Sequence, residues 1–254
     1  MPSIELRNVS LDYIIKTGSN SIKKSAIHLF NNCFRKSANN QSAIKNSTYR
    51  ALNNISLQIN EGDRIGLLGR NGAGKSTLLR VLAKIYKPNL GEINIEGKVS
   101  SLFDVSSGMN IESTGYENIV NLAIMRRVPK KNAQNMIGDI EAFTELGDFL
   151  NSPVRVYSSG MLMKLAFAVA TSTPSEIMLI DEIIGVGDVH FMEKATKRLE
   201  SLIERSHILV LASHSNEIIK RFCNKVIVLD QGKIQFFGDI ESGIDFYTTN
   251  QSKG

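Results

Sequence analysis

The sequence has few cysteines, no long apolar run and a long stretch without acidic residues, and each shortage narrows the possible classes of protein. The two cysteines, Cys33 and Cys223, lie far apart with no metal-binding spacing, so reduced thiols in a cytoplasmic protein are expected. No uninterrupted apolar run of about 18 residues occurs, which argues against a transmembrane helix. The first residues do not have the pattern of a signal peptide.

Acidic residues are absent between Asp12 and Glu61, while the chain as a whole has a formal net charge of +5. The excess positive charge comes from the first 50 residues, in which Lys and Arg far outnumber Glu5 and Asp12. The rest of the chain is almost neutral. Such a local excess indicates a local anionic partner rather than a surface that attracts anions everywhere.

The order of apolar segments predicts a single α/β domain over residues 1–254, a length that suits one domain with a subdomain. Alternating residues predict half-buried strands at 4–11 and 51–59, and continuous apolar runs predict buried strands at 177–180, 208–212 and 226–229. Residues 16–48 read as a basic insertion between the two early strands. Residues about 113–173 have a mostly helical pattern, which predicts an inserted helical subdomain.

The most informative motif is the run at residues 69–77, which matches the phosphate-binding pattern G-x-x-x-x-G-K-[ST]. Glycines let backbone N–H groups surround an anion. Lys75 can reach the terminal phosphates of a nucleotide, and the hydroxyl of Ser76 can ligate Mg²⁺. A strand pattern precedes the run and a helical pattern follows it, so a phosphate would meet a helix N-terminus. The predicted phosphate site consists of Gly69, Arg70, Asn71, Gly72, Ala73, Gly74, Lys75, Ser76 and Thr77.

Three further candidate residues follow two of the predicted buried strands. Asp181 and Glu182 come directly after the apolar run 177–180. Asp181 can lie near the Mg²⁺ of the phosphate loop, and Glu182 can polarise an attacking water. His214 follows the strand at 208–212, where a side chain can meet a bound phosphate.

A small polar turn at residues 157–161 opens the strongly helical segment at 162–170. Ser158 can cap this helix, which is a sufficient structural reason for a serine at this place. The capped helix end can also present its N–H groups to an anion from another subunit. The candidate residues in this turn are Ser158, Ser159 and Gly160.

Taken in order, these motifs resemble the nucleotide-binding subunit of ABC transporters over nearly the whole chain. Residues 153–161, P-V-R-V-Y-S-S-G-M, and residues 183–188, I-I-G-V-G-D, resemble more closely the ATP-binding subunit of polysaccharide exporters, which move O-antigen, teichoic acid or capsule. A basic insertion also occurs in that branch. The resemblance implies an ABC-type P-loop ATPase with a RecA-like α/β core, an antiparallel β subdomain and an inserted helical subdomain.

The resemblance also implies ATP and Mg²⁺ as cofactors and assigns roles to the candidate residues. Lys75, Glu182 and His214 would be catalytic, and Ser76, Asp181 and Asp104 would be metal ligands. Asp104 stands where the family usually has glutamine, and Ser159 and Met161 replace the glycine and glutamine of the usual signature. Adenine would stack on Tyr13, which ends the first strand in the family's position. Tyr49, across the insertion, is the alternative.

The resemblance implies that ATP hydrolysis by this chain powers the export of a lipid-linked polysaccharide across the bacterial inner membrane. Among the polysaccharides named above, O-antigen is the expected cargo. Two copies would pair head to tail, with each ATP between Lys75 of one and Ser158 of the other. A separate permease dimer would hold them at the cytoplasmic face of the membrane, in contact with the polysaccharide only indirectly. The C-terminal glycan-binding domain of longer relatives is not expected here.

Two alternatives remain at this point. A non-transport ABC ATPase would use the basic segment to bind nucleic acid, although such proteins usually carry coiled coils, zinc modules or two ATPase units. A P-loop kinase or GTPase would not need the turn at 157–161 or His214. We expect no nucleic-acid partner.

The basic insertion contains one stretch with helical periodicity, in which apolar residues share one face and basic residues flank it. It is either an amphipathic helix packed on its own domain or a helix that meets anionic headgroups or a polyprenyl pyrophosphate at the membrane. The apolar residues are Ile22, Ala26, Leu29, Phe30 and Cys33, and the basic ones are Lys23, Lys24, Arg35 and Lys36.

Overall fold

The computed structural model of the protein describes residues 1–16, 46–103, 105–182 and 189–251. In these ranges the chain forms two β-sheets and eight α-helices. The amphipathic stretch of the basic insertion, Asp104 and residues 183–188 lie outside the described residues.

The first sheet is antiparallel and consists of β1 (Ser3–Lys16), β2 (Asn46–Asn60) and β4 (Leu90–Glu96), in the order β2-β1-β4. Both long strands extend further into the predicted insertion than the sequence pattern indicates. β1 continues to Lys16 and β2 begins at Asn46, so the ends of the segment 16–48 belong to strands and the predicted insertion is shorter than expected.

The second sheet has six strands in the order β5-β6-β7-β3-β8-β9. Its strands are β3 (Arg64–Leu68), β5 (Val99–Ser101), β6 (Ile177–Asp181), β7 (Ile208–Ala212), β8 (Lys225–Asp230) and β9 (Lys233–Gly238). All are parallel except β9, which pairs antiparallel with β8. The carboxyl ends of parallel strands meet at one edge of a sheet, and this edge is where such folds bind ligands.

The first helix, α1 (Lys75–Leu82), follows β3 directly. A helical region then separates β5 from β6 and contains α2 (Gly115–Met125), α3 (Lys130–Asn135), α4 (Ile137–Thr144) and α5 (Ser159–Thr171), with 3₁₀ turns at Gly147–Asn151 and Val154–Val156. The remaining helices are α6 (Val189–Arg205), α7 (Asn216–Phe222) and α8 (Ile240–Gln251). None of the helices within the described ranges is long and apolar enough to cross a membrane.

Both faces of the second sheet are buried, because successive residues of its strands enter two different apolar clusters. Leu67 and Val210 pack in one cluster with the first sheet, whereas Leu68 and Leu211 pack in the other, next to α5 and α6. A strand covered on both sides needs a continuous apolar run, which is why the runs at β6, β7 and β8 were visible in the sequence. A third cluster fills the helical region, around Ile119 and Leu165.

Candidate functional site

The loop at residues 69–74 connects β3 to α1 through backbone conformations that only glycine adopts easily. Gly69 and Gly74 have φ of +154° and +108°. A Cβ on Gly69 would lie 2.5 Å from the carbonyl oxygen of Leu229, and one on Gly74 would lie 2.9 Å from that of Ala51. The loop therefore depends on these glycines for close backbone approach, as the phosphate-loop motif predicts.

Lys75 is the first residue of α1, and its side chain is only 9 % exposed. Its ammonium group donates hydrogen bonds to the carbonyl oxygens of Gly69 at 2.6 Å and Arg70 at 3.3 Å. Burial lowers the pKa of Lys75, and the negative charges of Asp181 and Glu182 counteract this by raising it. The positive charge is thus held inside the curve of the loop, next to two carboxylates.

A cavity of about 440 Å³ opens beside this loop and collects residues from four separate parts of the sequence. The ends of β6 and β7 contribute Asp181, Glu182 and His214, which are far from the loop along the chain. β2 contributes Tyr49 and Ala51. Gly69 does not line the cavity, but its carbonyl oxygen accepts a hydrogen bond from Lys75. The lining residues from the loop and α1 are Arg70, Asn71, Gly72, Ala73, Gly74, Lys75, Ser76 and Thr77.

Glu182 adopts a left-handed backbone conformation, with φ of +64°, that is uncommon for a residue other than glycine. Its N–H donates a hydrogen bond of 2.9 Å to the carbonyl oxygen of Ala212, the last residue of β7. This bond ties the ends of β6 and β7 together at the cavity. His214 follows two residues later, beside Ser213, whose hydroxyl accepts a bond from the N–H of Ser215 at 3.1 Å.

The two candidate tyrosines differ in their relation to the cavity. Tyr49 is 47 % exposed and lines it, with its hydroxyl 3.4 Å from the carbonyl oxygen of Gly72. Tyr13 is half-buried: its hydroxyl lies 3.2 Å from that of Thr77, and its ring packs edge-on against Tyr86. The placement of these two residues favours the alternative, Tyr49, over the expected Tyr13.

The turn before α5 is held in place by contacts of Ser158 and Tyr157. Ser158 caps α5, as predicted, by accepting the N–H of Met161 at 3.2 Å. The hydroxyl of Tyr157 donates to the carbonyl oxygen of Phe149 at 2.7 Å, and a Cβ on Gly115 would lie 2.3 Å from that hydroxyl. Glycine at 115 is therefore required by the tyrosine. The spacing of the motif gave no signal for this contact, because Tyr157 lies in the turn before α5 whereas Gly115 begins α2.

A second connection holds the same turn to the segment that precedes α2. The N–H groups of Val154 and Arg155 donate to the carbonyl oxygens of Ser113 and Ile111 at 2.9 Å each, and Arg155 also pairs with Glu112. The turn itself stays accessible, since Ser158 and Ser159 are exposed. Among the residues that the structure describes, those lining the cavity do not include Ser158, Ser159 or Gly160.

Two of the three expected metal ligands, Ser76 and Asp181, line the cavity together. A hydroxyl and a carboxylate suit Mg²⁺, which usually takes one or two carboxylates plus the phosphates of its nucleotide. Within the described ranges no group of three or more His, Cys, Asp or Glu could hold a metal ion alone. The donor set thus fits an ion that is bound together with a phosphate. Asp104 lies outside the described residues.

Comparison with known proteins gives a consistent result. Residues 52–185 match the family model described as ABC transporter. The chain is 51 % identical over 187 residues to the O-antigen export system ATP-binding protein RfbE of Yersinia enterocolitica, a match that covers 74 % of this chain and 78 % of the relative. It is 38 % identical over 197 residues to the teichoic acids export ATP-binding protein TagH of Bacillus anthracis, covering 78 % of this chain but only 36 % of that relative.

The fold is also similar to solved structures. One is a dimeric, post-hydrolysis ATP-binding cassette bound to ADP and Pi, with a TM-score of 0.65 and 22 % identity, over 93 % of this chain and 98 % of that one. The likeness confirms the predicted α/β architecture with its inserted helices.

Proposed function

This chain belongs to the ABC transporter family, and from that membership we propose that it is the ATP-hydrolysing subunit of an exporter of lipid-linked polysaccharide, with O-antigen as the cargo. The identity of 51 % to an O-antigen export ATP-binding protein is the observation that carries this proposal. The relatives named above give no support to the nucleic-acid alternative.

ATP binding would begin at the loop between β3 and α1. The N–H groups of the loop and of the first turn of α1 would surround the phosphates, which would also gain from the positive end of the helix dipole. Lys75 would exchange its bonds to the carbonyl oxygens of Gly69 and Arg70 for bonds to the terminal phosphates. Ser76 and Asp181, with Asp104 as the expected third ligand, would hold Mg²⁺, which supplies positive charge opposite those phosphates.

Hydrolysis would depend on the two residues at the strand ends. Glu182 would accept a proton from the attacking water, since its carboxylate lines the cavity and its backbone is fixed to β7. His214 would contact the γ-phosphate from the other strand end, and Tyr49 would stack on adenine.

The complete site would need a second copy of the chain. Ser158, Ser159 and Gly160 are presented at the exposed start of α5 rather than in the cavity wall of their own chain. In a head-to-tail dimer the N-terminus of α5 of one copy would face the phosphates held by Lys75 of the other. Nucleotide binding would then close the dimer, and hydrolysis would reopen it.

The polysaccharide itself would cross the membrane through a separate permease dimer, and the subunit would lie at the cytoplasmic face of the inner membrane. Affinity purification of the tagged chain from membranes tests this directly. We expect an integral membrane protein and a lipid-linked sugar, identified by mass spectrometry. Recovery of nucleic acid in their place, or of no membrane protein, would refute the transport function.

A further inference from the structure

Asn118 lies near the start of α2 and is fully buried, with 0 % of its surface exposed. Its side-chain amide makes four hydrogen bonds, all to the segment at residues 110–114 that precedes the helix. The amide oxygen accepts the N–H of Asn110 at 2.8 Å. The amide nitrogen donates to the carbonyl oxygens of Asn110 at 2.9 Å, Ser113 at 3.1 Å and Thr114 at 2.9 Å. One side chain thus holds both ends of residues 110–114, which we call the bridging segment.

These neighbours require an amide at position 118. A carboxylate would place a second acceptor against three carbonyl oxygens, and a leucine would leave the N–H of Asn110 without its acceptor. Leucine is nevertheless the better residue for a buried helix position, because it has the higher helix propensity and buries no polar group. The asparagine therefore serves the conformation of the bridging segment rather than the stability of α2.

The bridging segment is bonded in turn to the residues that lead into α5. The carbonyl oxygen of Ser113 accepts the amide of Asn118 and also the N–H of Val154, the latter at 2.9 Å. Val154 begins the 3₁₀ turn, and its own carbonyl oxygen accepts the N–H of Tyr157 at 3.0 Å. A continuous series of hydrogen bonds therefore joins Asn118 to the residue directly before Ser158.

We propose that Asn118 is a positioning residue, which fixes the bridging segment and through it the direction in which Ser158 and the N-terminus of α5 face the ATP held by a second copy. This rests on the proposed function, which supplies the second copy. Within the described part of the chain, the residues that line the nucleotide cavity do not include Asn118. Its loss should therefore affect the site on the partner and leave the cavity of its own chain intact.

The first test compares Asn118→Ala with the matched control Asn121→Ala, which removes an exposed amide from the same helix. A displacement of about 1 Å can cost a reaction about a hundredfold in rate, so Asn118→Ala should lower kcat about ten- to hundredfold. The dissociation constant of ATP for the single subunit should stay unchanged, and the control should match the wild type in both measurements. An unchanged kcat, or a loss of ATP affinity as large as the loss of rate, overturns the proposal.

The second test asks which subunit must carry Asn118. In a mixed dimer of a Lys75→Ala subunit and a Ser158→Arg subunit, the one intact site takes Ser158 from the first and Lys75 from the second. Asn118→Ala placed in the Lys75→Ala subunit should lower the rate of the mixture about ten- to hundredfold. The same change placed in the Ser158→Arg subunit should leave that rate unaltered. A purely structural role for Asn118 would lower both rates alike, and this result overturns the proposal.

Two other outcomes are distinguishable from these. If the parent mixture, with Asn118 intact, shows no complementation, the composite site itself is refuted and the role of Asn118 with it. If Asn118→Ala does not fold, Asn118→Ser takes its place in both tests. A serine in a helix can still donate to the carbonyl oxygen four residues earlier, here that of Thr114, but it is too short to hold Asn110. Equal rates for Asn118→Ser in the two subunits of the mixed dimer overturn the proposal in the same way.

Discussion

Tyr13 and Tyr49 lie directly opposite each other in the register of β1 and β2, yet only Tyr49 forms part of the cavity wall. Their side chains have different neighbours. Tyr13 contacts Thr77 and Tyr86, both of which belong to or follow α1, whereas Tyr49 reaches the carbonyl of Gly72 in the loop. The sequence favoured Tyr13 from its place at the end of the first strand, whereas the fold puts Tyr49 beside the loop.

Replacing Tyr49 by alanine should therefore weaken ATP binding. Stacking of a base on an aromatic ring is worth roughly 1–3 kcal/mol, so the dissociation constant should rise about ten- to hundredfold. Titration with a fluorescent ATP analogue measures it. Tyr13→Phe, which keeps the ring and loses the hydroxyl, is the control and should bind nearly normally. A large loss for Tyr13→Ala with none for Tyr49→Ala would restore the original expectation for Tyr13.

Lys75→Ala should abolish ATP turnover, because it removes the buried cation from the centre of the phosphate loop. Thermal melting with and without Mg²⁺-ATP provides the second measurement: the wild type should be stabilised by the nucleotide, and the variant should not. Arg80→Ala, in the same helix but outside the cavity lining, is the comparison variant and should behave like the wild type. Normal turnover by Lys75→Ala would remove this loop from the mechanism.

Gly115→Ala should impair hydrolysis without changing ATP binding to the single subunit. The added methyl group would collide with the hydroxyl of Tyr157 and with Leu150, and such overpacking costs about 1–3 kcal/mol. The displaced Tyr157 would shift the turn that Ser158 begins. Gly138→Ala is the matched control, because a Cβ there has no neighbour within 4 Å. Equal ATPase rates in the two variants would show that the position of Tyr157 is unimportant.

The composite site predicts complementation between two inactive variants. A Lys75→Ala subunit mixed with a Ser158→Arg subunit should form dimers in which one of the two sites has both residues intact. Random pairing would make half of the dimers mixed, so the mixture should recover about a quarter of the wild-type rate. The rate of each variant alone provides the baseline. A mixture no more active than the average of its components would mean that each subunit works alone.

The sequence identified the central part of the site because its chemistry has a fixed spacing. The residues 69–77 and the acids at the end of β6 could be recognised, since a buried strand needs a continuous apolar run that marks its own end. The contact between Tyr157 and Gly115 could not, because it joins the turn before α5 to the start of α2, two segments that are distant in the sequence.

β9 shows a further limit of sequence reasoning. Its residues alternate between exposed and partly buried positions at the edge of the second sheet, so they form no continuous apolar run. The choice between Tyr13 and Tyr49 also depends on the fold, because it is decided by which of the two side chains meets the loop at residues 69–74. Local residue preferences predict neither the position of β9 nor the tyrosine at the loop, since both depend on how distant strands pair.

The most direct test of the central claim, that ATP hydrolysis by this chain powers polysaccharide export, is the amount of polysaccharide on the surface of cells that carry Glu182→Gln as their only copy. Glutamine keeps the size of the side chain but cannot accept a proton, so hydrolysis should fall by about 10²–10⁴-fold while ATP binding remains. Immunoblotting of the cell surface should then detect no polysaccharide, and lipid-linked polymer should accumulate inside the cell. Surface polysaccharide at the wild-type level, in cells whose purified variant does not hydrolyse ATP, would contradict the account.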